Sequence, residues 1–153
     1  MPPQSNVVKP VMSKRAPKAI GPYSVAVTAE CNQMLYVSGQ IPIEVPSGNV
    51  FTGDIKRQAE IAMTNLRSII QDAQFQMQDV VKCTIYLTNM AHFEVVNEVY
   101  SKYFVAHVFP ARAVVGVSAL PKGVGVEIEA IAVKKVEAAK KKPTVLEEVV
   151  EGF

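Results

Sequence analysis

The stretch "FPARAVVGVSALPKGVGVEIEAIAVKK", residues 109–135, sets Arg112, Glu127 and Glu129 inside otherwise aliphatic runs. Two apolar runs flank the turn-forming "ALPKGVG" and read as two strands. In the first, Arg112 shares a face with Val114 and Gly116. In the second, Glu127 and Glu129 share a face, about 7 Å apart by strand geometry. If the loop folds the strands back antiparallel, Arg112 comes near the glutamates. The planar guanidinium suits bidentate capture of a carboxylate, either the protein's own or a ligand's. A structural ion pair and an anion site are therefore both open readings of these residues. One arginine and two acids are unbalanced, and the second acid is available for proton chemistry.

Working outward, the periodicity switches several times. "VVKCTIYLT" (80–88) alternates Val81, Cys83, Ile85 and Leu87 on one face and reads as a strand. Asn89 reads as the cap of a helix running to about Phe104, with Phe93, Val96, Tyr100 and Phe104 inward and Pro110 as the stop. From Asp54, Ile55, Ala59, Ala62, Met63, Leu66, Ile69, Ile70 and Ala73 fall on one face of an earlier helix. Asp54 or Thr52 supplies its start signal. "YSVAVTA" (23–29) and "QMLYVSGQIPI" (33–43), around the polar "ECNQ", read as an antiparallel pair. The resulting order is ββαβαββ, an α+β subunit with two helices on one face of a mixed, mainly antiparallel sheet. Two helices cover only one face, yet the strands are apolar at nearly every position, so self-association is expected.

Composition narrows the function classes. A chain of 153 residues with 49% hydrophobic and 20% charged residues is ordinary for one globular domain. Its net charge of +2 is uneven: residues 1–18 hold four basic residues and no acid, and residues 134–142 hold five lysines against Glu137. The body, 19–133, has seven basic and ten acidic residues, which disfavours a phosphate-backbone footprint. Cys31 and Cys83 make no disulfide framework, and His92 and His107 stand in no ligand spacing, so neither metal nor cofactor is expected. No apolar run approaches the ~20 residues of a membrane span. The first 19 residues lack a signal-peptide hydrophobic core. They are acid-free, as transit peptides are, but prolines 2, 3, 10 and 17 disfavour an amphipathic helix. The expectation is a cytoplasmic protein, with mitochondrial import a minor alternative. The organisation is read as an N-terminal arm (1–18), one domain (19–136) and a charged extension (137–153), taken as a solvated appendage.

The motifs "IGPYSVAV", "LYVSGQIP", "VVKCTIYLTNMAHFEVVNEVYSKYF" and "FPARAVVGVSALPKGVGVEIEAIAV" arrive in order between Ala19 and Val133. Together they resemble the reactive-intermediate deaminase (Rid, or YjgF-type) family. The resemblance implies a chorismate-mutase-like subunit, a homotrimer and ligand clefts between subunits. It also implies hydrolysis of 2-iminopropanoate and 2-iminobutanoate to 2-oxo acids and ammonia, without a cofactor. Carried over by position, the substrate-binding arginine is Arg112 and the acid that holds the attacking water is Glu127. The motif tyrosine is Tyr23, the "SGQ" serine Ser38 and the second-helix asparagine Asn97. Two positions depart from the family pattern: Val114 stands where cysteine is frequent, and Val25 where glutamine is. The loss of that thiol excludes thiol chemistry there but not imine hydrolysis. Two alternatives stand beside this reading: a ligand-binding or chaperone-like trimer with the same cleft but little turnover, and an endoribonuclease that inhibits translation.

Overall fold

Asp54 caps a helix, α1 (Ile55–Asp72), its carboxylate accepting from the Arg57 amide at 3.0 Å. The computed structural model describes residues 7–104 and 108–139. Ala59, Ala62, Met63, Leu66 and Ile70 of α1 are buried as the spacing predicts, joined by Ile61 and Gln58. Ile69 differs: it is 37% exposed. A face assigned from spacing alone has an uncertain edge, and here the buried arc runs toward Ile61.

The second helix is shorter than expected. Asn89 does cap, accepting from Ala91, but it starts a single 3₁₀ turn, Met90–His92. Helix α2 (Phe93–Ser101) follows and ends before Phe104. Val96, Val99 and Tyr100 are buried from it, and Phe104 packs on Tyr100 with ring centroids 4.7 Å apart.

The described residues contain six strands: β1 (Val8–Val11), β2 (Ala26–Ala29), β3 (Gln33–Gln40), β4 (Val80–Leu87), β5 (Ala111–Gly116) and β6 (Val126–Lys134). The main sheet has the order β3-β6-β4-β5, with β4 and β5 parallel and the other pairs antiparallel. This is the expected α+β subunit, two helices plus a mixed, mostly antiparallel sheet.

Two pairings differ from the sequence reading. The stretches 23–29 and 33–43 do not pair with each other. Instead β2 pairs with β1, inside the segment read as an arm, and β3 pairs with β6. Nor does β5 fold back onto β6, because β4 lies between them. Alternation fixes which face a side chain takes but not which strand lies alongside, so a neighbour in sequence was the wrong partner twice. The β1–β2 ribbon reaches the main sheet through a parallel bridge from Ser24 to Ala111, where Ser24 donates from both its amide and its hydroxyl to the end of the 108–110 segment.

One sheet face packs its aliphatic residues, Val37, Cys83, Ile85, Leu87, Val126, Ile128, Ala130 and Ala132, against both helices. The opposite face is less apolar than expected. Its centre carries Lys82, Thr84, Tyr86, Glu127 and Glu129, while Met34, Tyr36 and Val115 are exposed toward its edges, at 51%, 69% and 40%. A mixed face of this kind has polar groups to pair as well as apolar area to cover. The extension beyond residue 139, together with His107, lies outside the described residues.

Candidate active site

Arg112 lies next to Cys83 in the parallel β4–β5 register, on the face that meets the helices. Helix α2 crosses above it. The guanidinium Nη1 donates to Asn97 Oδ1 at 2.5 Å, and its central carbon sits 4.9 Å from the Tyr100 ring, 5.7 Å from Tyr23 and 6.0 Å from Phe93. Gly21 borders it, and the Tyr23 hydroxyl accepts from the Ile20 amide, closing the Gly-Pro turn on itself. No carboxylate of the described residues bridges this arginine. Burial pulls the guanidinium below its usual pKa, against the opposing influence of Tyr100, Cys83 and Tyr23. Beneath it the Cys83 thiol is pushed up to about 12 by burial, which keeps it protonated and unreactive.

The structure therefore brings together three of the sequence-predicted residues, Arg112, Asn97 and Tyr23, from β5, α2 and the turn before β2. The other two, Ser38 and Glu127, form a second group elsewhere. A bulge interrupts the β3–β6 register between Val37 and Gln40, and Ser38 and Gly39 sit in it. Glu127 lies directly over Gly39: a Cβ added there would stand 1.9 Å from Glu127 Oε1. Only glycine lets that carboxyl rest on the β3 backbone. Glu127 pairs in register with Tyr86, whose hydroxyl donates to Glu129 at 2.9 Å. That bond to Glu129 is the largest of the influences raising the Tyr86 phenol above its ordinary pKa.

The two groups are separated within one chain. Arg112 is on the helix-covered face at the β5 edge, and Glu127 is on the open face beside the β3 edge. Their backbones differ by two strand spacings and three residues of register, roughly 10 Å in each direction. The expected proximity of Arg112 to the glutamates through a hairpin is thus absent in the protomer. Glu129 has a partner of its own, the Tyr86 hydroxyl that donates to its Oε1. Sequence reasoning placed Phe93 and Tyr100 only in the core, because aromatic residues at helical spacing look alike whether they meet a leucine or a guanidinium. It also missed Gly39, for which the glycine inside a strand was the available signal. A separate groove, lined by Ile43, Pro46, Arg57, Ile61, Asn65 and Asp72, runs between α1 and the preceding loop and contains none of the predicted residues.

The fold and the two clusters define a small α+β protein with a partly buried arginine among aromatic rings at one sheet edge and a carboxyl seated on backbone near the other. The family described as Endoribonuclease L-PSP matches residues 13–134. A "Protein DfrA" of Myxococcus xanthus is 48% identical over 125 residues, covering 82% of this chain and 95% of that protein. A "2-iminobutanoate/2-iminopropanoate deaminase" of Bos taurus is 44% identical over 131 residues, covering 85% and 93%. Among solved structures, E. coli TdcF with bound serine aligns with a TM-score of 0.63 at 38% identity, covering 82% of this chain and 98% of that one. The chain belongs to the Rid/YjgF (L-PSP) family.

Proposed function

We propose that the protein hydrolyses 2-imino acids, such as 2-iminopropanoate and 2-iminobutanoate, to 2-oxo acids and ammonia. The observation that carries this reading is Arg112: a half-buried guanidinium with an amide and three aromatic rings around it and no carboxylate of the described residues against it. Deaminase-named relatives at 41–44% identity support it, as does the serine, itself a small carboxylate, bound to TdcF.

In this reading Arg112 grips the substrate carboxylate through two parallel bonds and so aims the imine carbon. Glu127 orients a water and takes its proton as the oxygen–carbon bond forms and the C=N electron pair moves to nitrogen. Returning that proton to nitrogen gives a carbinolamine. The proton of its new hydroxyl then passes to nitrogen, the oxygen lone pair forms the C=O bond as the C–N bond breaks, and ammonia and the 2-oxo acid leave. Backbone groups of the Ser38–Gly39 bulge hold the leaving nitrogen, Asn97 steadies the arginine, and Tyr23 closes the pocket. No cofactor takes part.

The separation of the two clusters bears on assembly. Arg112 at one edge and Glu127 near the other cannot meet one substrate within a chain, but they can across a head-to-tail contact between copies. Such heterologous contacts close into rings, and the reading adopted is a homotrimer with its sites between subunits. A nucleic-acid substrate is disfavoured by the acidic body, ten acids against seven basic residues over 19–133. No helix of the described residues is long and apolar enough to cross a membrane, and a cytoplasmic location remains part of the proposal.

The test is a coupled assay in which a pyridoxal-phosphate dehydratase generates 2-aminoacrylate from serine. Added protein should accelerate its decay to pyruvate. Decay at the uncatalysed rate would reject the deaminase reading in favour of a ligand-binding trimer with the same cleft.

A further inference from the structure

Helix α2 presents Phe93, Asn97 and Tyr100 to Arg112 at i, i+4 and i+7, one stripe of one face. The bland account of the two aromatic residues is core packing, and both do contact the core cluster. Two observations go beyond it. Both rings lie within 6.0 Å of the guanidinium carbon, and with Tyr23 they surround it from two separate elements. Tyr100 is fully buried, so its ring meets the guanidinium away from water, and its hydroxyl lies beside the Cys83 thiol. A desolvated ring face attracts a cation more strongly than an exposed one, which an aliphatic side chain filling the same space would not do.

We propose that Phe93 and Tyr100 are positioning residues for Arg112, completing with Tyr23 an aromatic enclosure that orients the guanidinium and keeps its charge unneutralised for an anionic ligand. The chemistry follows from what the enclosure contains. Ring faces attract a cation through their quadrupoles without cancelling its charge. An aspartate in the same place would hold the arginine equally well but would satisfy the fork that a substrate carboxylate needs. Asn97 adds one directional bond that fixes rotation about the guanidinium axis while leaving donors free. The ligand class is therefore a small monocarboxylate, bound by a cation that the protein itself leaves without a counter-charge. This rests on the reading of Arg112 as a carboxylate clamp, but not on any hydrolysis taking place.

The experiment measures pyruvate binding to the assembled protein by calorimetry, together with kcat and KM in the coupled assay, for the parent, Phe93→Leu, Tyr100→Leu and Tyr100→Phe. The leucine variants should raise the pyruvate Kd and KM by about three- to thirtyfold, the range expected for a partly desolvated cation–π contact, with kcat much less affected. Tyr100→Phe, which keeps the ring, should bind like the parent. Phe93 is less buried than Tyr100, so Phe93→Leu remains informative if Tyr100→Leu folds poorly. Leucine variants that bind pyruvate like the folded parent would overturn the inference, as would a parent that does not bind pyruvate at all. A parent that binds pyruvate and loses it in the leucine variants, yet leaves 2-aminoacrylate untouched, would support the enclosure while rejecting the deaminase.

Discussion

Arg112→Lys separates the two roles a half-buried arginine can play. As a structural ion-pair member its removal would strand an acid at a cost of roughly 3–5 kcal/mol, but no acid of the described residues bridges it. Lysine keeps the charge and cannot grip both carboxylate oxygens in one plane. Losing one charge-assisted bond is worth about 1.5–3 kcal/mol, so kcat/KM should fall roughly ten- to a hundredfold. Arg112→Ala should be near inactive, with both variants melting within a few degrees of the parent. A large drop in Tm with normal activity per folded molecule would return Arg112 to a structural role. Glu127 can be probed twice. Glu127→Gln keeps a water ligand but no base, and Gly39→Ala keeps the base but displaces it, since a Cβ would stand 1.9 Å from its carboxyl oxygen. Both should lower kcat while leaving the pyruvate Kd close to that of the parent. Glu129→Gln, which disturbs only the bond from Tyr86, should act mainly on stability. Equal loss of turnover from Glu129→Gln and Glu127→Gln would mean the two acids are wrongly assigned.

At the scale of elements, the helices were legible in the sequence and the strand partners were not. A capped 3.6-residue period identifies α1 without reference to anything else, and only its margin, Ile61 against Ile69, was misread. A strand's alternation says nothing about its neighbour, which is why β6 was assigned beside β5 and β2 beside β3. The site suffered from the same blindness. Arg112, Asn97 and Tyr23 were identified by motif and do meet, but their distance from Glu127 depends on β4 lying in between. One buried polar residue shows how the elements are tied together. Gln58, 5% exposed, donates to the Gly53 carbonyl and accepts from the Gly125 amide, both at 2.8 Å. It thereby joins the entry of α1 to the approach of β6, two residues before Glu127. Gln58→Ala leaves both backbone groups without this partner, at about 1–3 kcal/mol for each that water cannot reach. The urea midpoint should fall accordingly, and an unchanged midpoint would show that the clamp is dispensable.

At the scale of the whole molecule, the separation of Arg112 on the β5 edge from Glu127 on β6 makes the quaternary state the first measurement to take for the proposed shared site. Light scattering at micromolar concentration should give three times the 16.7 kDa chain mass, and a monomer mass would remove the basis for a shared site. Deleting residues 137–153 should leave that mass and the deaminase rate nearly unchanged, because the segment is charged, broken by Pro143 and outside the family match. Loss of assembly would show that it docks. The position of β6 has a further consequence for how the chain is made. It is the last strand of the described residues, yet it is hydrogen-bonded on both sides, to β3 and to β4. During translation β3, α1, β4, α2 and β5 all emerge before the strand that joins them exists, and their pairing must await contacts of long sequence separation. Nascent chains stalled before residue 126 should therefore be digested as readily as an unstructured peptide, with protection appearing in one step once 126–134 has emerged. Stepwise protection of earlier segments would show that α1 and its neighbours can form a folding unit without the central strand.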